Sequence, residues 1–139
     1  MSEILDLSER AWQGEMDQSE IHPGRVKLGL EELDDGLAFV AAFSNMAVLN
    51  TERGLCFFDT SGPFHAKKVF DLIREWSPAR LDTAVYTHGH VDHVFGTGLF
   101  EQQAEAEGWE PASVIAHEAC PARFDRYKLT NGYNGIINQ

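Results

Sequence analysis

Cysteine is scarce: Cys56 and Cys120 are the only two in 139 residues, and they form no CxxC pair. That removes the paired-cysteine redox and metal motifs, and Cys56, set in an apolar stretch, reads as a buried free thiol. Long apolar runs are missing as well. The longest covers residues 37–43, far short of the roughly 20 residues that cross a bilayer. The start, Met1-Ser2-Glu3-Ile4, has no cationic segment followed by an apolar run, so no secretory signal is read there and a cytoplasmic protein is expected. Basic residues are few: 11 Lys and Arg stand against 22 Asp and Glu, a net charge of -11. Such a surface repels nucleic-acid phosphates, so neither nucleic acid nor membrane is an expected partner. No repeat, low-complexity tract or interdomain linker is present. A hydrophobic content of 43% in 139 residues fits one globular domain with a sizeable core.

What the chain does have is a concentration of metal-ligand chemistry. Thr87-His88-Gly89-His90-Val91-Asp92-His93 holds three of the six histidines and a carboxylate. Imidazole and carboxylate suit Zn²⁺ and its first-row neighbours. On extended backbone residues i and i+2 point to one side, so His88 and His90 can hold one metal while the chain turns and offers Asp92 and His93 to a second. Two metals about 3.5–4 Å apart make a hydrolytic centre with a shared, acidified water. The opposing reading is a solvated His-rich turn or a set of core histidines; four ligands at this spacing, directly after an apolar strand, favour the metal.

Around that loop the periodicity changes twice. Val26–Leu30, Leu37–Phe43, Met46–Asn50 and Leu55–Phe58 read as short strands. Asp34-Asp35-Gly36, Ser44-Asn45 and Glu52-Arg53-Gly54 supply the turns of consecutive hairpins. Asn45 is read as a turn residue. Ala66, Val69, Phe70, Ile73 and Trp76 then form a helical stripe, with Pro63 in its first turn and Pro78 at its end. Lys67, Lys68, Arg74 and Glu75 fall on the outer face, and His22 and His65 read as surface histidines. Leu81–Tyr86 is a buried strand that delivers the histidine loop at its carboxyl end, and Gly96 and Gly98 let the backbone pass close to the metals. A helix from Leu99 to about Glu107 closes at Gly108. Val114–Ala116 is a further strand, Glu118 to about Lys128 a helix with Pro121 in its first turn, and residues 130–139 a loop. The expectation is an α/β fold: a mixed sheet with helices on one face, preceded by an extension over residues 1–25.

His-x-His-x-Asp-His resembles the metal motif of the metallo-β-lactamase superfamily. Phe57-Phe58-Asp59-Thr60-Ser61-Gly62 before the helix resembles that family's Asp-Thr-Gly turn, with Ser61 where Gly is usual. The resemblance implies that residues 26–139 are the N-terminal half of a four-layer αβ/βα domain. In the family the remaining ligands, a later His, a bridging acid and a last His, come from the second half. Here only His117 follows His93; it and Glu118 stand at a strand end, and a helix-start role for His117 outweighs a ligand role. The chain is therefore read as a truncation whose sheet keeps one apolar face bare, an invitation to a missing C-terminal half or to homo-oligomers.

The resemblance implies a metal-dependent hydrolase of a small-molecule ester, thioester or sulfate ester, loaded with two Zn²⁺ ions, or with iron or manganese. His88, His90, Asp92 and His93 are its ligands, and Asp92 doubles as the proton acceptor for the nucleophilic water. Ala116–Cys120, Arg123–Tyr127 and Asn134-Gly135 are loosely similar to the alkylsulfatase-like branch. Two alternatives stand beside it: a persulfide dioxygenase using one iron, and an inactive half domain that serves only as an association surface. Flavodiiron reductases fit less well, since their loop has Glu where His90 stands.

Overall fold

The structure, a computed structural model, describes residues 2–17, 19–20 and 27–137, without the side chains of 134–137. The readings of His22 and Val26 lie outside the described residues. Six strands run in sequence order across one sheet: β1 (Gly29–Asp34), β2 (Leu37–Ala41), β3 (Met46–Thr51), β4 (Gly54–Phe58), β5 (Leu81–Val85) and β6 (Ser113–Ile115). The first four form an antiparallel meander, and β4, β5 and β6 are parallel. The crossovers are α2 (Ala66–Trp76) and then α3 (Val91–Val94) with α4 (Gly98–Glu107), while α1 (Glu3–Trp12) and α5 (Cys120–Ile137) flank them. This is the expected mixed α/β sheet.

Alternation along the strands decides which face is core. Ala38, Val40, Met46, Val48, Leu55, Phe57 and Ala84 are buried on one face, where Val69 and Ile73 of α2 and Phe100 of α4 meet them. Phe57 and Phe100 pack edge to face at 4.9 Å between centroids, an arrangement worth about 0.5–1.5 kcal/mol beyond the burial itself. The opposite parity gives the cross-strand row Glu31, Phe39, Ala47, Phe58, Val85 and Ile115. Phe58 is 39% exposed and Ile115 58%, Phe39, Ala47 and Val85 are half-buried, and Glu31 meets the start of α1, so this face is open mainly toward β4 and β6.

Several elements depart from expectation for identifiable reasons. β1 starts at Gly29 and runs on through Glu31 and Glu32; it is an edge strand paired only with β2, where charged side chains are tolerated. Residues 3–12 are helical, capped by Ser2, whose Oγ accepts from Leu5 N at 3.1 Å; Glu31 holds the helix by accepting from Ile4 N at 2.9 Å. Pro63 lies in the turn before α2 rather than in its first helical turn. Arg74 is turned inward: its Nη1 donates to the carbonyls of Ser77 and Ala79, and its guanidinium lies 5.0 Å from the Phe100 centroid. It thereby closes the exposed carbonyl end of α2 and makes a cation–π contact. The strand expected over 114–116 sits one residue earlier. α5 starts at Cys120 and continues through a non-helical Thr130 to Ile137, where a loop was expected. Cys56 is only partly buried, because its parity places it on the more open face.

Candidate metal centre

The loop expected to bear the ligands leaves β5 at its carboxyl end, the customary place for sites in open α/β sheets. His90 has extended backbone (φ -78, ψ 144) and precedes the single turn of α3, which carries Asp92 and His93. Folding the chain this way draws the imidazoles together. The ring of His88 lies 4.5 Å from that of His90 and 4.1 Å from that of His93, centroid to centroid, and Asp92 Oδ2 is 3.5 Å from His93 Nε2.

Asp59, at the end of β4, organises the cluster from behind. It accepts from Thr87 N at 2.8 Å, from Thr87 Oγ1 at 2.8 and 2.9 Å, and from His93 Nδ1 at 2.8 Å. These bonds fix proton positions. Thr87 spends its one hydroxyl proton on the carboxylate, so the 2.9 Å contact between Thr87 Oγ1 and His88 Nδ1 is donated by the imidazole. His88 and His93 thus both carry hydrogen on Nδ1 and keep a lone pair on Nε2, the tautomer that ligation through Nε2 requires. Ser44 Oγ donates to His93 Nε2 at 2.7 Å. Asp59, His88 and His93 also offer ligand atoms within 4.8 Å of one another. Both oxygens of Asp59 are already engaged, however, so its role is to orient the imidazoles. Burial, followed by the nearby His88 and Arg123, holds the pKa of His90 below the usual histidine value, which favours the neutral, ligating form.

The turn after Asp59 is pressed against α3. Thr60 N and Oγ1 both donate to the His93 carbonyl, at 2.8 and 2.9 Å, and Gly96 N donates to Thr60 Oγ1 at 3.2 Å. A Cβ on Gly96 would land on the Thr60 carbonyl, and one on Gly62 would stand 2.9 Å from Asp92 Cα. Gly96 therefore serves a close backbone approach, but to the Thr60 turn rather than to a metal; Gly98 has open space around it and serves none. Asp59 and Ser61 hold left-handed φ of 60° and 57°, strain of the kind concentrated at functional sites.

His117 is exposed, and its Nδ1 accepts from Ala119 N at 3.1 Å, a helix-start role. His65 is half-buried rather than free on the surface, and it lines an open cleft beside His90 and Asp92. Ser44 and Thr87 were not singled out from the sequence as site residues. No local pattern marks them, because their contacts span 49 residues in one case and 28 in the other.

The metallo-β-lactamase superfamily model matches residues 41–127. No curated protein matches the chain. Among solved structures, a double mutant of the sec-alkyl sulfatase PisA1 of Pseudomonas sp. is 25% identical, with a TM-score of 0.52 over 68% of this chain and 16% of that one. The subclass B3 metallo-β-lactamase BJP-1 of Bradyrhizobium japonicum is 20% identical, with a TM-score of 0.56 over 71% of this chain and 36% of that one. A Cronobacter sakazakii metallo-β-lactamase with an HARLDQ motif gives 20% and 0.56 over 71% and 37%. The two lactamases show the fold alone. The chain spans 16 to 37% of the length of these three relatives.

Proposed function

Because this chain belongs to the metallo-β-lactamase superfamily, we propose that it carries the metal-binding half of a metal-dependent hydrolase, with His88 and His90 on one ion and Asp92 and His93 on a second. The observation that carries the reading is the convergence of the three imidazoles at 4.1 and 4.5 Å, with the Asp59 and Thr87 bonds leaving Nε2 of His88 and His93 as acceptors. That donor set fits zinc, with iron or manganese as alternatives. Bound zinc supplies a water acidified to near neutral pH and a Lewis acid for the substrate oxygen. Asp92 is placed to accept the proton of an attacking water, Asp59 keeps His93 in its ligating tautomer, and His93 Nε2, to which Ser44 now donates, would be the atom that holds a metal.

Two protein ligands per ion fall short of the three or four of a zinc site, so the remaining donors come from outside these residues. The partly open row Phe39, Ala47, Phe58, Val85 and Ile115 is where the second αβ layer that brings them would pack. The substrate class proposed is an ester, thioester or sulfate ester in aqueous solution, with no nucleic acid or membrane as partner.

The test is turnover of a substrate panel by the 139-residue chain and by the chain joined to a downstream half, each loaded with zinc and separately with iron. The short chain is expected to be poor and the joined chain active, with Asp92→Asn abolishing most of the gain. Comparable zinc-dependent turnover by the short chain overturns the two-half reading. Activity confined to iron and a persulfide substrate replaces the hydrolase with a dioxygenase.

A further inference from the structure

The cleft beside the loop, about 1280 Å³ and open to solvent, is walled by Phe43, Phe64, Phe95 and Phe124 and reaches His90 and Asp92. Phe64 is 94% exposed, Phe43 55% and Phe95 40%, and the rings of Phe95 and Phe124 lie 5.1 Å apart. Scattered exposed aromatics need no account, but four converging on one opening mark a surface that is covered by a ligand when it works. Their position next to the candidate ligands says what sort of ligand this is.

The charge around the cleft runs against that of the whole molecule. A chain of net charge -11 places Arg123, Arg126 and Lys128 on the cleft wall and only one acid, Asp92. Lys128 is tied to Asp125 at 3.1 Å. Arg123 has only the Tyr127 ring and hydroxyl, at 5.2 and 3.4 Å, and Arg126 has no carboxylate partner among the described residues. Arg123 and Arg126 also line a second cavity of about 590 Å³ that shares His90 with the first, so this pair borders both. Helix α5 packs close against the loop: a Cβ added to Gly89 would stand 3.2 Å from Arg123 Cβ. Guanidinium groups without an internal partner bind carboxylate, phosphate or sulfonate in bidentate fashion.

We propose that this cleft binds an anionic amphiphile: one negative group on Arg123 and Arg126, and an aliphatic or aryl body against Phe64, Phe95 and Phe124. The assignment deepens the hydrolase reading and rests on it for what is done to the ligand, since the reacting bond would lie toward Asp92. Binding itself needs only the cleft. Arg126 and Phe64 are specificity residues on exposed positions, so replacing them leaves the core untouched.

The test is calorimetric titration of metal-free protein with decanoate below its micelle concentration, with hexanoate and decyltrimethylammonium as comparisons. Each fully buried methylene strengthens binding about fourfold, and the cleft is open, so decanoate is expected to bind several-fold tighter than hexanoate and at least tenfold tighter than the cation. Phe64→Ser should weaken decanoate several-fold. Arg126→Glu should abolish the preference for the anion, and Lys67→Glu, away from the cleft, should change neither, with circular dichroism confirming the fold of each. Equal binding of anion and cation overturns the proposal, as does unchanged decanoate affinity in both cleft variants. A parallel zinc titration separates the two readings: zinc binding without decanoate binding overturns the cleft assignment alone, and decanoate binding with no zinc binding at all, weak or tight, leaves the cleft standing and counts against the metal reading.

Discussion

Gly96→Ala puts the contact between the Asp59 turn and the metal loop under a single methyl group. The added Cβ meets Thr60 O, Thr60 C and Ser61 O, all backbone atoms with no rotamer to escape into, so the turn and α3 must move apart. Three hydrogen bonds are at stake: Thr60 N and Oγ1 to His93 O, and Gly96 N to Thr60 Oγ1. At about 1 kcal/mol net for each bond, and about 1–3 kcal/mol for overpacking, loss of all three bonds gives an expected cost of about 4–6 kcal/mol. Gly98→Ala is the matched control. A Cβ there meets nothing within 4 Å at the first residue of α4, and it should leave stability unchanged or raise it by up to about 0.5 kcal/mol. Urea unfolding of the metal-free proteins, followed by circular dichroism, measures both. A Gly96→Ala midpoint matching wild type, or a Gly98→Ala loss as large as that of Gly96→Ala, would refute the clasp between Thr60 and His93.

Ser61→Gly should stabilise the metal-free protein by about 1 kcal/mol in the same unfolding assay. It relieves a left-handed φ of 57° and removes a buried hydroxyl without a hydrogen-bond partner, gains that outweigh the flexibility glycine adds to the unfolded chain. Asp59→Asn keeps the shape but loses a charged acceptor for Thr87 and His93 Nδ1; zinc affinity by competition titration should fall about 10–100-fold. The Glu31 carboxyl is held below its ordinary pKa by hydrogen bonds from Ser2 and from Ile4 N. Its contribution to anchoring α1 is therefore complete above the ordinary glutamate value and is lost as pH falls through the lowered one. Protection of the Ile4 amide against hydrogen exchange should follow that loss, and Glu31→Gln should remove the pH dependence.

The parts of the fold legible in the sequence were those written in local periodicity. The β2 and β3 alternation, the Ala66–Trp76 stripe and the turn residues around Asp35 and Arg53 placed their elements within a few residues, because burial on one face demands that spacing. Helix α1 was missed although Ser2 with Glu3 and Asp6 is an N-terminal capping pattern; its polar composition hid it. The continuation of α5 past Thr130 was missed because Asn131, Gly132 and Asn134 are poor helix formers. At the candidate site, His88, His90, Asp92 and His93 stand out through spacing, whereas the groups that set their tautomers do not. Ser44 and Thr87 reach the cluster only through tertiary contacts, and Arg74 on the amphipathic α2 turned inward to meet carbonyl groups that no sequence window displays.

The histidine loop is proposed to bind metal through these side chains. Cobalt(II) titration monitored in the visible tests it directly, using the wild-type chain, His88→Ala with His90→Ala, and Asp92→Asn with His93→Ala. The account expects ligand-field bands in the wild type that weaken in each double variant and vanish when all four are replaced. Bands unchanged in intensity and position across these variants would contradict it.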